Sequence, residues 1–354
     1  MKEKKYLAIW FATVLLSLST VATFNYLIDP LWCFSHSNAF NNRQPGFNER
    51  QQKTNRAYFA GLENYDTLLL GSSRTAYINQ HDFEGMRVFN YAADNMMPKE
   101  YEKWIEIAKE IKGGDFDTII IGIDFFGTAG NYDAFFERYY KGLKPEDYFL
   151  KTKEPLYRFK SLLSIDVLKQ SLESIRRIKY PTISDYDRSN VRHCSIRVTD
   201  EEREKHIKDN IEEYRGPLLK AYRYREEWKS IMKRLKEKNP HTRFIIFTTP
   251  VSEPFFKTFI VNGGHLEDYK RWLRETVEVF GKIHHFMDLN SVTTNLENFF
   301  DAHHLYEEST RMIAKRLSGD NKERTEKDFG KIITPDNIDE YLKNFPAKHY
   351  GPLP

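Results

Sequence analysis

Cysteine is nearly missing from this chain of 354 residues: Cys33 and Cys194 are the only two. So few exclude a disulfide-built scaffold, and a pair so far apart has none of the spacing of a metal site. They permit one disulfide in an oxidising compartment, and their positions do not say whether they meet. Charge of one sign is also scarce. The net charge is only +3, and no dense Lys/Arg stripe interleaved with aromatics stands out, so nucleic acid is not an expected partner. No Walker loop and no dinucleotide glycine fingerprint is present, and no cofactor is expected. The chain also lacks an Ala-x-Ala-like cleavage site near its start, where Val21-Ala22-Thr23 is a poor match. What is plentiful is apolar and aromatic surface: 40% of residues are hydrophobic and 15% aromatic, mostly Phe and Tyr. With 30% charged residues this is a globular composition.

One long uncharged run does occur. Residues 1–5 carry three lysines and one glutamate, and Tyr6 to Ile28 follows without a charge. That length suffices to cross a bilayer, which takes about 20 residues. Lysines before the run and Asp29 after it place the amino terminus in the cytoplasm and the rest outside. The run is therefore read as an uncleaved signal anchor. A cleaved signal peptide and a buried soluble helix are the rival readings. Residues 29–60, rich in Asn, Gln, Ser and aromatics, read as a juxtamembrane linker.

Beyond it the pattern alternates. Asp66 to Gly71, Asp-Thr-Leu-Leu-Leu-Gly, is a short apolar run closed by a turn, which suits a parallel strand buried on both faces. Asp117 to Gly122, Asp-Thr-Ile-Ile-Ile-Gly, nearly copies it. Two central strands meeting the same demands explain this better than a repeat. Arg87 to Tyr91, Arg243 to Thr248 and Ile283 to Leu289 complete five strands. Pro98 to Lys112 has helical spacing, and strand, helix, strand in that order implies a right-handed crossover. Residues 141–239 look helical and charged, with no strand rhythm, and read as an insertion whose charged helices from Thr199 to Lys238 form a solvated face. The aromatic segment Phe125 to Tyr140, with Phe135 and Phe136, is either a lid or acyl-binding wall or ordinary core. A main domain over 61–318 and a charged tail over 319–354 with a small helix complete the organisation.

The candidate chemistry lies in two places. Ser72 and Ser73 follow the first strand, at the carboxyl edge where open α/β sheets bind ligands. Either serine could instead cap the next helix. A serine nucleophile needs a base, usually histidine oriented by a carboxylate. Asp301 and His304, three residues apart before a helix, offer that pair, with His303 as the neighbouring alternative. Arg74 could hold an anionic substrate or pair with Asp66 or Asp94. His284-His285 and His303-His304 suggest a metal, but adjacent histidines on a strand point to opposite faces, and no metal site is expected.

These motifs, in this order, resemble the SGNH (GDSL-type) hydrolase superfamily. Gly71-Ser72-Ser73 matches its Gly-Asp-Ser turn, and Asp301-Ala302-His303-His304 its Asp-x-x-His. Asn90 to Asn95 falls where the family has an Asn-x-Gly-x-x-Gly-like stretch, and Gly122-Ile123-Asp124 where it has Gly-x-Asn. The resemblance implies a flavodoxin-like three-layer α/β sandwich with a five-stranded parallel sheet, and a nucleophile Ser73, base His304 and orienter Asp301. It also implies an oxyanion hole from the Ser73 and Asn95 backbone. Asp124 departs from the family, because an ionised carboxylate repels an oxyanion, and losing one such donor costs about 2.7–4 kcal/mol elsewhere. The layout is similar to a membrane-anchored subset that includes the D-alanine transfer protein and polysaccharide acylation proteins. That similarity implies an esterase or acyltransferase acting on a cell-surface glycopolymer, with a membrane-bound O-acyltransferase as partner. The alternative is a catalytically silent scaffold in the same envelope setting.

Overall fold

The structure is a computed structural model and describes residues 2–194, 196–319 and 326–345, with the side chains of 135, 136 and 217 left aside. The chain divides into two compact units: Met1–Leu62 with Pro145–Ile196, and Glu63–Lys144 with Arg197–Pro354.

The second unit holds the sheet. Its strands are β1 (Thr67–Leu70), β2 (Val88–Asn90), β3 (Thr118–Ile123), β4 (Arg243–Thr248), β5 (Ile283–His285) and β6 (Lys331–Ile333), in spatial order β2-β1-β3-β4-β5-β6. The first five run parallel, as the pattern predicts. The sixth pairs antiparallel to β5, in a segment read as charged tail. Two of its three residues are exposed, so it lacks the apolar run that reveals an inner strand. β1 and β3 are buried along their whole length, which explains their unbroken apolar sequence.

Helices cover both faces. Pro98–Lys112, Trp228–Glu237 and Leu266–Phe280 pack together, with Trp228 donating to Thr276 Oγ1 at 3.1 Å. In another cluster Ile313, Ala314 and Leu317 of helix Glu307–Ser318 meet Leu69, Ile120 and Phe247 of the sheet. The result is the expected α/β architecture. The stretch 141–239 is not all insertion: its last helix, Trp228–Glu237, is one of the sheet's covering helices.

The first unit begins with helix Lys2–Ile28, long and apolar enough to cross a membrane. After it, the Asn/Gln-rich stretch forms helix Glu49–Ala60, whose polar residues turn inward. Gln51 Nε2 donates to Thr152 Oγ1 at 2.8 Å, and Thr152 Oγ1 to Asn55 Oδ1 at 2.7 Å. A small hairpin, Ser184–Tyr186 with Arg192–Cys194, pairs with Gln44 through Tyr186. The buried Arg188–Asp29 ion pair, at 2.6 Å, ties the hairpin turn to the end of the apolar helix. Polar burial of this kind is why composition alone reads as a linker here. Cys33 and Cys194 are both free thiols, and burial pushes Cys33 up.

Candidate active site

Strand β1 is followed by Gly71, at φ +151°, and then by the short helix Ser73–Ala76. A Cβ on Gly71 would come within 2.2 Å of Thr75 Oγ1, and one on Gly122, in β3, within 2.1 Å of the same atom. Thr75 thus plugs the gap between the two strands, and only glycine leaves room for it on either side. Asn90 at the end of β2 braces the same turn. Its Nδ2 donates to the carbonyls of Thr75 and Ile78 at 3.2 and 2.9 Å. The capping reading holds for one serine of the pair and not for the other. Ser72 is the helix cap, accepting from the Arg74 N–H at 3.4 Å, and Ser73 is left half-exposed.

The Ser73 hydroxyl lies 2.8 Å from His304 Nε2, and His304 Nδ1 lies 2.7 Å from Asp301 Oδ2. A proton on Nδ1 donates to the carboxylate and leaves Nε2 to accept from the serine. Asp301 is fixed by its own loop, with Oδ1 accepting the N–H groups of His303 and His304 at 2.8 Å each. Burial pushes the Asp301 carboxyl up. The adjoining imidazoles and these hydrogen bonds outweigh it and hold the group well below the usual carboxylate range. The His304 ring stacks on Phe300 at 5.4 Å between centroids and packs against Tyr77 at 5.3 Å. The spacing of Asp301 and His304 in sequence is therefore matched by convergence in space.

Several supports carry no sequence motif. The Ala302 carbonyl accepts from the backbone N–H and hydroxyl of Ser252 at 3.0 and 2.7 Å. Helix Asp200–Tyr214, read as a solvated face, sends three side chains to the same loop. Asn210 Oδ1 accepts from the Ala302 N–H, Arg203 Nε donates to the Phe299 carbonyl and His206 Nδ1 to that of Phe300. The expectation fails on that face because these polar groups meet loop carbonyls and an amide in place of water. Only the helix's single buried apolar residue, Ile207, hints at an inner face.

The remaining candidates fall beside Ser73. Arg74 pairs neither with Asp66 nor with Asp94. Asp66 is taken by Arg87 at 3.0 Å, and Arg74 Nη1 reaches Asp124 Oδ1 at 2.7 Å in a buried ion pair. The hydroxyl of Thr249, at the end of β4, donates to the same oxygen at 2.5 Å. The Asp124 charge is thereby balanced. The guanidinium carbon of Arg74 sits 5.0 Å from the Phe126 ring and 5.9 Å from that of Phe255. Asn95 has φ +54°, the left-handed conformation that asparagine tolerates. Its N–H donates to no protein group among the described residues.

His304, and not the neighbouring His303, is the imidazole hydrogen-bonded to Ser73. The His303 ring is buried, 4.3 Å between centroids from His304 and packed against Tyr214 and Phe255. Burial drives its pKa well down, and Nδ1 has no hydrogen-bond partner. One ligand atom from each of Asp301, His303 and His304 lies within 4.8 Å of the others. Both ring nitrogens of His304 are already engaged, so a cation would compete with Ser73 or Asp301 for that imidazole. His285, by contrast, is structural, held between Thr248 Oγ1 and the Tyr269 hydroxyl at 2.9 Å each. Of the aromatic segment, Phe125 is core against Trp272 and Tyr269, whereas Phe126 faces Arg74. Phe135 and Phe136 fall outside the described side chains.

Fold and site define an α/β protein with a serine–histidine–aspartate hydrogen-bond chain at the carboxyl edge of parallel strands. No protein-family model matches the chain, and no curated protein does. Among solved structures it is similar to a Streptococcus pneumonia protein provisionally named a platelet activating factor. The identity is 10% and the TM-score 0.37, over 76% of this chain and 89% of that one. A likeness so distant carries no argument about the site.

Proposed function

We propose that the protein is a membrane-anchored SGNH-type serine esterase or acyltransferase acting on acyl or acetyl esters of a cell-surface glycopolymer. The observation that supports it is the closed chain from Asp301 through His304 to Ser73. Ser73 Oγ attacks the ester carbonyl while His304 Nε2 takes its proton. The tetrahedral intermediate collapses, the leaving alkoxide receives that proton, and the acyl group stays on Ser73. Water or a glycan hydroxyl then attacks with His304 again as base, and the second intermediate collapses with cleavage of the acyl–Ser73 bond as His304 returns the proton to Ser73 Oγ. The oxyanion is met by the N–H groups of Ser73 and Asn95. Asp124, bound to Arg74 and Thr249, brings a charge already neutralised to this edge of the sheet. In this reading the amino terminus is cytoplasmic and the main domain extracytoplasmic, with a membrane-bound O-acyltransferase as the partner that exchanges acyl groups.

A second reading, a catalytically silent SGNH-like scaffold in an envelope assembly, draws on Asp124 standing where the family places an amide donor. Labelling with a fluorophosphonate probe separates the two. The enzyme reading expects wild-type protein to label and Ser73→Ala and His304→Ala to lose the label. An unlabelled wild type, or equal labelling of Ser73→Ala, contradicts it and leaves the scaffold.

A further inference from the structure

The first unit carries an apolar surface that its own core does not use. Helix Ile165–Lys179 packs against the apolar helix Lys2–Ile28. The contact is anchored at Asn25, which is fully buried. Its Nδ2 donates to the Leu162 carbonyl at 2.9 Å, and Ser171 Oγ donates to its Oδ1 at 2.9 Å. Val167, Ser171 and Ser174 form the buried stripe of the helix, small enough for close approach. A different stripe points outward: Ile165 is 70% exposed and Leu172 56%. Leu156, Phe159 and Leu163, just before it, are also more than half exposed. Between 156 and 179 stand six basic residues, Arg158, Lys160, Lys169, Arg176, Arg177 and Lys179, against two acidic ones, Asp166 and Glu173.

We propose that the face formed by Leu156, Phe159, Leu163, Ile165 and Leu172 lies in the headgroup region of a lipid bilayer, as a second membrane contact beside the spanning helix. The inference rests on Lys2–Ile28 being a membrane span. Asn25 is three residues from the end of that helix, about 5 Å along its axis. The docked segment is thereby held where the apolar span gives way to water. Away from the buried Val167, Ser171 and Ser174, the outward side of the helix mixes Ile165 and Leu172 with the exposed Lys169 and Arg176. Such a mixed face suits that layer: the apolar side chains reach toward the acyl boundary while the long basic ones snorkel to anionic headgroups. Tyr26 and Tyr180, 41% and 58% exposed, add the aromatic rings that favour the same depth. A soluble partner would explain the apolar side chains but not their fixed place at the foot of a span.

The full chain in phosphatidylcholine–phosphatidylglycerol vesicles tests this. Ile165→Cys, Leu172→Cys and Leu16→Cys are each made with Cys194→Ser and labelled with an environment-sensitive dye. Cys33 is buried and its thiol is pushed up, so it reacts poorly. The expected result is blue-shifted emission at 165 and 172, quenched by lipid carrying a nitroxide at headgroup depth. The label at position 16 should be quenched by a nitroxide deep in the acyl chain. Unquenched labels at 165 and 172 beside a quenched label at 16 overturn the proposal and leave the span standing. A blue-shifted but unquenched label there means that protein covers the face, which also overturns it. An unquenched label at 16 removes the span and the proposal together.

Discussion

His304 uses both ring nitrogens, and what each one touches decides what the other can do. Donation from Nδ1 to Asp301 fixes the tautomer that accepts from Ser73. Asparagine at 301 would keep the shape but can offer an N–H where the imidazole needs an acceptor, favouring the wrong tautomer. Asp301→Asn is therefore expected to lower kcat on an activated ester by about 10⁴-fold with KM little changed, the size seen for this substitution in a serine protease triad. A loss under tenfold would show that Asp301 does not orient the base. Arg74 and Asp124 work as a couple at the same scale. Each is buried, and either one alone would be an uncompensated charge, so the arginine beside Ser73 accounts for a buried carboxylate at position 124.

Among the elements, the junction of β1 and β3 sets the site's precision. Thr75 fills a space bounded by two backbones that have no side chains to yield. Gly122→Ala would bring a methyl to 2.1 Å from Thr75 Oγ1 and 2.7 Å from the Phe247 ring. Overpacking of this kind costs about 1–3 kcal/mol, and its displacement falls on the turn that carries Ser73. The variant should show a lowered denaturation midpoint and weaker probe labelling together; full labelling at reduced stability would separate the junction from the site. β5 makes a second prediction. Burial pushes His284 and His285 down to about 4 from the ordinary 6.5. Both stay neutral in the folded state where the unfolded chain would bind protons, so stability rises with pH across that window. It should be fully present above pH 6.5 and fall toward pH 4, by about 1.4 kcal/mol per histidine per pH unit. Urea midpoints in detergent at pH 7 and pH 5 check this, and equal midpoints would contradict it.

At the scale of the whole molecule, the parts written in contiguous residues were the readable ones. The strand before Ser73, the Asp301–His304 turn and the apolar helix are each local patterns. Arg74 with Asp124 is not readable, because the pair forms only once β1 and β3 lie side by side. Ser252 and Asn210 are ordinary polar residues until the loop after Phe300 is laid against them, and Thr249 until Asp124 is beside it. β6 escaped because only one of its three residues is buried, and the polar helix Glu49–Ala60 because what it buries is mostly polar and bonded to other buried polar groups. The central claim is that a hydroxyl on one side of the sheet's carboxyl edge and an imidazole brought from 231 residues away act as one nucleophile. Rapid quenching of the full-length protein with an activated acetyl ester, followed by peptide mapping, tests it most directly. The account predicts an acetyl group on Ser73 that disappears in Ser73→Ala and fails to form in His304→Ala. Ester cleavage with no acetyl on Ser73, or with the acetyl on another residue, would contradict it.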